Sequence, residues 1–273
     1  MSEDRPAITF AIISNAPAAS ALLEAVCEEI HKRTSLTIEP VVFRTYEKLV
    51  AGMKDGSVDV AWAPPLVAID LERAKVGSIA LAARRMGKSD YSSAIFTKRS
   101  SGLKSLTDLA GKKAAWVARE SSAGYVVPRL KLLAAGVNPD TDLAEQTFRR
   151  THEAVVRVVQ SGEADFGATF AHFETGKDEP SASGWQDSGV SNADVEILAV
   201  AGPIPSDVIA LSDRLSKDRG KAITDALREI GDPVKQLLNA EGFDSPDPSH
   251  FEQLRALVAV AAESGPKTSG ATA

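Results

Sequence analysis

The chain has 273 residues, 44% hydrophobic and 25% charged, which suits one or two globular domains with sizeable cores. Its formal charge of −6 excludes a general binder of nucleic acid or anionic membrane, so an anion site here must be local and built from directed donors. The lone cysteine, Cys27, rules out an intrachain disulfide and reads as a small buried hydrophobe.

In chain order, the apolar run 7–13 (AITFAII) reads as a strand. A loop at Ser14-Asn15-Ala16-Pro17 feeds a helix, with Pro17 near its first turn and Leu22, Leu23, Val26, Cys27 and Ile30 spaced for one buried face. Thr37 to Phe43 is a second strand, followed by Tyr46 and a helix ending near Gly52 or Gly56. Val58 to Ala61 is a third, running into Ala63-Pro64-Pro65 and a helix to about Lys75. Alternating strands and helices with short connections predict right-handed crossovers, a mainly parallel sheet, and ligand sites beyond the carboxyl ends of the strands.

Ser78 to Ala83 and Ser92 to Thr97 are further strands, and Leu106 to Leu109 is a short helical turn. A second α/β unit then begins at Lys113: a strand, the segment Arg119-Glu120-Ser121-Ser122-Ala123-Gly124, and a helix to Gly136. A strand near Thr147, a helix over 151–160 and a strand over 164–169 follow. Residues 175–194, rich in Gly, Ser, Pro and charge, predict a mobile surface loop. Strands at 195–200 and 209–211 precede a helix over 215–238, broken near Gly231-Asp232-Pro233. A last amphipathic helix over 248–262 leads to a disordered tail at 263–273.

The Ser-Ser-Ala-Gly helix start is the chemically suggestive stretch. The first N–H groups of a helix have no partner within it, and the helix dipole places partial positive charge there. Ser121 and Ser122 add hydroxyl donors, while Ala123 and Gly124 admit a ligand close to the backbone, which makes an anion seat. Taken alone, Ser-Ser-x-Gly is more often an ordinary serine N-cap. His31, His152, His172, His250 and Cys27 show no metal spacing, so neither metal nor cofactor is expected. No apolar run reaches membrane-spanning length, so membrane insertion is not expected. The opening Met-Ser-Glu-Asp-Arg-Pro lacks a basic segment and apolar core; the sequence as given reads as cytoplasmic, or periplasmic if a leader was removed.

Several segments in this order resemble the PhnD-type substrate-binding proteins of phosphate, phosphite and phosphonate ABC transporters. They are Tyr46-Glu47-x-Leu49-Val50 with 56–64 (GSVDVAWAP), Tyr91-Ser92-Ser93, and 104–113 (KSLTDLAGKK). Ser121-Ser122-Ala123-Gly124-Tyr125-x-x-Pro128, Thr151-His152-Glu153-Ala154 with Gly162-Glu163-Ala164-Asp165, and 202–207 (GPIPSD) complete the series. The resemblance implies an α/β, two-lobed, type II periplasmic-binding-protein-like fold with mixed, mainly parallel sheets and two hinge crossings. Lobe 1 would be 1–97 plus 200–262 and lobe 2 would be 98–199.

It also implies that Ser121, Ser122 and the amides of Ala123 and Gly124 grip a phosphonate, phosphate or phosphite. Tyr46 and Tyr91 would supply phenolic donors and His152 a further polar contact. The family often has a third hydroxyl where this chain has Ala123; Arg119 could offset that loss as a cation, or be simply solvated. Asp207 and Glu174 are solvent-facing or hinge positions that could pair with the amino group of an aminoalkyl phosphonate, and Tyr125 reads as core. Read without the resemblance, Tyr46 and Tyr91 could be half-buried packing residues and His152 a polar helix start.

The reading is therefore a solute-binding component of an ABC uptake system, with a permease as partner and no nucleic acid. No nucleophile–base pair or P-loop lysine accompanies the serines, which points to binding rather than catalysis. A cytoplasmic ligand sensor on the same fold is the alternative, and an enzyme on this fold a distant one.

Overall fold

A computed structural model describes residues 7–14, 16–119 and 121–264. The first elements are β1 (Ala7–Ile13), α1 (Ala19–Thr34), β2 (Thr37–Phe43), α2 (Tyr46–Asp55), β3 (Val60–Ala63), α3 (Pro65–Arg73) and β4 (Gly77–Arg84). Next come β5 (Asp90–Lys98), β6 (Lys113–Trp116), α4 (Val127–Ala134), β7 (Glu145–Phe148), α5 (His152–Ser161), β8 (Phe166–Phe173), β9 (Pro180–Ser183), α6 (Gly184–Asp187) and β10 (Val195–Pro205). The chain ends with β11 (Val208–Ser212), α7 (Lys217–Glu229), α8 (Asp232–Leu238), β12 (Gly242–Asp244) and α9 (Pro248–Ser264). Residues 265–273 of the expected tail, with Asn15 and Glu120, lie outside the described residues.

Two compact units result. One holds the described residues up to Asp90 together with Pro205–Phe251; the other holds Tyr91–Ile204 and the described residues from Glu252 onward. The chain therefore changes unit at Asp90/Tyr91, at Ile204/Pro205 and after Phe251.

In the first unit the sheet order is β12-β4-β11-β3-β1-β2. β2, β1 and β3 pair in parallel, while β11 runs antiparallel to β3 and β4, and β12 antiparallel to β4. β1 is buried on both faces, as a central parallel strand must be. Ile8, Phe10 and Ile12 enter one core with Leu23, Val26, Cys27 and Ile30 of α1, and Ala11 enters another with Leu49 and Met53 of α2. Leu22 sits half-buried at the rim of the α1 stripe, and Pro17 lies in the turn before the helix rather than within it. Burial pushes the Cys27 thiol up to about 12, with Glu24 adding to the effect, so it stays protonated.

The second unit has the sheet order β10-β5-β8-β6-β7, with β9 added to β8. β6 pairs in parallel with β7 and β8, and β5 and β9 run antiparallel to β8. One face packs on the valines of α5 (Val155, Val156, Val158, Val159); the other carries Ile95, Trp116, Phe166 and Ala168 against Leu132 of α4.

The expected mobile loop at 175–194 is corrected here. It contains β9 and α6, and Trp185 within it is fully buried against Phe96, ring centroids 5.5 Å apart. Its indole N–H donates to Asn192 Oδ1 at 2.8 Å. Composition misleads because one tryptophan can anchor a polar segment by its large apolar area. Gly184 must be glycine: a Cβ there would lie 2.0 Å from Thr169 Oγ1. No helix among the described residues is long and apolar enough to cross a membrane.

Candidate functional site

The parallel strands β6, β7 and β8 of the second unit end on the same edge of the sheet, where loops can gather donors. After β6, the segment Ser122–Val126 is not an ordinary helical turn but a wider one. Val126 donates to the Ser121 carbonyl at 3.0 Å, a bond spanning five residues, and the Val127 N–H caps onto the Ser122 carbonyl. Pro128 has no N–H, so carbonyls one turn before it lose their helical donor. They find others. Ser93 of β5 donates to the Ala123 carbonyl at 2.7 Å, and the Val117 N–H donates to the Gly124 carbonyl at 3.1 Å.

Ser121 is the N-cap, its hydroxyl accepting the Gly124 N–H at 3.0 Å. Ser122 is different. It is only 4% exposed, yet its Oγ has no hydrogen-bond partner, and among the described residues the amides of Ser122 and Ala123 make no hydrogen bond either. The ordinary cap is therefore real, but it is Ser121 alone, and the next hydroxyl is left over.

A second helix start converges on the same place. The N–H groups of Arg149 and Arg150 donate to the carbonyls of Trp116 and Val117, each at 2.8 Å, so Val117 ties both helix entries together. Arg150 adopts a left-handed backbone, φ 70°, and Thr151 caps α5 by accepting the Ala154 N–H at 3.1 Å. His152 is the first residue of α5. Its Nδ1 lies 2.8 Å from the buried Thr169 hydroxyl of β8, and Phe170 packs edge-on to its ring. Burial holds its pKa down at about 4, so the ring is neutral near pH 7.

The structure thus brings together Ser121, Ser122, Ala123, Gly124 and His152. Tyr91, in β5 of the same unit, stacks at a tilt on His172, centroids 6.0 Å apart. Tyr46 and Asp207 belong to the first unit. Tyr46 opens α2 and packs half-buried against the core with Leu49 and Met53. Asp207 precedes β11, and its carboxylate accepts from Arg85 at 2.8 Å; the same guanidinium donates to the Leu238 and Asn239 carbonyls. That carboxylate is already neutralised, which fits a structural role better than capture of an amine.

Arg119 is exposed, with its guanidinium 4.9 Å from the Phe148 ring centroid and donating to the Tyr125 hydroxyl at 3.2 Å. Tyr125 is half-buried, edge-on to Trp116. Ser93, Val117 and Thr169 shape the site and escaped sequence reasoning, because strand residues reveal their partners only through register. A hydroxyl interrupting an apolar strand, as at Ser93 and Thr169, was the available signal.

The family model described as "ABC transporter, phosphonate, periplasmic substrate-binding protein" matches residues 10–251. Among solved structures, a Xanthomonas citri protein seen with ATP is 20% identical, with a TM-score of 0.77 over 94% of this chain and 98% of that one. PhnD1 from Prochlorococcus marinus, seen with methylphosphonate, is 16% identical, with a TM-score of 0.71 over 94% of this chain and 99% of that one. A binding protein component of an ABC phosphonate transporter from Pseudomonas aeruginosa is 18% identical, with a TM-score of 0.71 over 95% and 87% of the two chains. At these identities the structures speak for the fold, two mixed α/β sheets of the periplasmic-binding kind, while the family match covers most of the sequence. The chain belongs to the periplasmic substrate-binding proteins of phosphonate ABC transporters.

Proposed function

We propose that this chain captures a phosphonate, or the closely similar phosphate or phosphite, on the Ser121–Gly124 helix start, for delivery to a cognate permease. The carrying observation is the Ser122 hydroxyl, buried and without a partner. An unmatched buried hydroxyl costs about 1–3 kcal/mol, which an oxyanion at the seat would recover. The amides of Ser122 and Ala123 supply two further donors at the positive end of the helix dipole. His152 adds one more when Thr169 donates to Nδ1, because the neutral ring then presents Nε2–H. Uncharged donors of this kind hold a desolvated oxyanion through several short bonds, in keeping with the chain's negative charge.

Binding without turnover is the reading the hydrogen bonds favour. The Ser121 hydroxyl serves its cap, His152 Nδ1 pairs with Thr169, and among the described residues no serine hydroxyl is hydrogen-bonded to His152. Family membership supports action outside the cytoplasmic membrane, which fractionation of native cells checks directly. The deciding experiment is calorimetry with methylphosphonate, phosphate and phosphite. Saturable one-to-one heat with at least one of them is expected, and none with any at millimolar concentration overturns the proposal.

A further inference from the structure

The hydroxyl of Thr169 decides what His152 can offer a ligand. Thr169 is fully buried in β8, and among the described residues its side chain bonds only to His152 Nδ1, at 2.8 Å. That pair can be made in two ways. If Nδ1–H donates, the Thr169 hydroxyl proton is buried with nothing to accept it. If Thr169 donates, every proton in the pair is used and only an oxygen lone pair is left over, which is the cheaper omission. Gly184 packs on that same oxygen, where a Cβ would lie 2.0 Å away, so the hydroxyl is closed in by protein. Thr169 is therefore the donor, and the neutral ring carries its proton on Nε2. Ser122 faces the same constraint: no acceptor among the described residues takes its buried hydroxyl proton, so a ligand oxygen must. With the amides of Ser122 and Ala123, the seat then presents protons alone. No described carboxylate is hydrogen-bonded to any of these groups. Around His152, Glu153 pairs with Arg157 at 2.8 Å, His172 lies beyond Phe170, and α6 carries the exposed Asp187. Arg119 and Arg150, on the loops leading to Ser121 and Thr151, are exposed cations and accept no proton.

From this donor set we infer that the seat selects by proton count. It takes a head of three deprotonated oxygens on phosphorus or sulfur, a phosphonate dianion or an alkylsulfonate, and rejects the protonated phosphonate monoanion, with Thr169 as the positioning residue. The inference rests on the seat proposed above for the oxyanion. A ligand hydroxyl would turn its proton toward N–H and O–H groups, lose the water that accepted it, and leave one proton of the seat unserved. Selection by proton differs from selection by charge. Methanesulfonate and the methylphosphonate monoanion have the same charge and nearly the same shape, and differ by that one proton.

The test is calorimetric titration of the wild-type protein with methylphosphonate and methanesulfonate, about one pH unit below and about one above the second pKa of methylphosphonate. Phosphonates lose that proton near neutral pH, well above the titration of His152 at about 4. The dianion rises from roughly a tenth to roughly nine-tenths of the ligand, so methylphosphonate should bind about 10-fold tighter at the higher pH. Methanesulfonate should bind equally at both. Nitrogen NMR of the wild-type protein should show His152 protonated at Nε2 and bare at Nδ1. Thr169→Val should admit both tautomers and shrink the methylphosphonate ratio several-fold, whereas Thr169→Ser, which keeps the hydroxyl, should retain it. Each ratio is taken within one folded variant, so a general loss of stability does not imitate the result. An unchanged ratio in Thr169→Val, or a protonated Nδ1 in the wild type, overturns the role of Thr169. Methylphosphonate binding equally at the two pH values, a pH effect shared by methanesulfonate, or methylphosphonate binding without methanesulfonate overturns selection by proton and leaves the seat standing. Absence of binding by both ligands removes the seat, and this inference with it.

Discussion

The Ser93 hydroxyl reaches across from β5 to the carbonyl of Ala123, 2.7 Å away and out of contact with solvent. It takes the place of a backbone donor that Pro128 cannot provide, and so fixes the wide turn on which Ser122 sits. Replacing Ser93 by alanine leaves a buried carbonyl unserved. Ser93→Ala should lose about 1–3 kcal/mol of stability, read from urea unfolding midpoints. An unchanged midpoint would mean that the turn holds itself.

Ser122→Ala should behave in the opposite way. The hydroxyl has no partner to lose, so stability should stay within about 0.5 kcal/mol of wild type or rise slightly. Affinity for methylphosphonate should nevertheless fall roughly 10-fold, the loss of one hydrogen bond to a charged group. Stability and affinity falling together would assign Ser122 a structural role instead.

Gly124 is required by crowding rather than by its backbone angles. A Cβ there would lie 2.3 Å from Val117 Cγ2 and 2.8 Å from Ser121 Oγ. Gly124→Ala should cost about 1–3 kcal/mol by overpacking. Adding Val117→Ala should recover part of that cost, so that the double variant is less destabilised than the sum of the singles. Strict additivity in thermal unfolding would place the strain elsewhere.

His152 makes stability pH-dependent with a definite sign. Its pKa falls from the ordinary imidazole value of 6.5 to about 4 because burial disfavours the charged ring. The neutral ring's contribution is complete above pH 6.5 and is lost as the pH drops toward 4. Within that window the unfolded chain binds the extra proton, and stability should decline by up to about 1.4 kcal/mol per pH unit. His152→Gln should flatten this part of the profile. A ring titrating near 6.5 by NMR in the folded protein would refute the assignment.

Much of the architecture was legible in the linear chain because the relevant signals are local. The stripe Leu23, Val26, Cys27 and Ile30 announces α1, and Gly56 and Gly162 end α2 and α5 in left-handed caps. The break at Gly231 separates α7 from α8, and Ser121 caps its helix. The misreading at 175–194 arose where one residue, Trp185, outweighs a polar composition by contacts with Phe96 and Asn192 that composition does not register.

By itself, the order of residues determined the alternation of strands and helices, the family, and the Ser-Ser-Ala-Gly helix start that carries the proposed seat. Hydrophobic period and capping chemistry act over a few residues and are written consecutively. Only the tertiary structure decided which of the two serines is committed, that Asp207 is held by Arg85, and that His152 is neutral and paired with Thr169. Each depends on strand register or burial, which brings together residues tens of positions apart, and hydrogen bonds and desolvation respond to distance in space rather than along the chain.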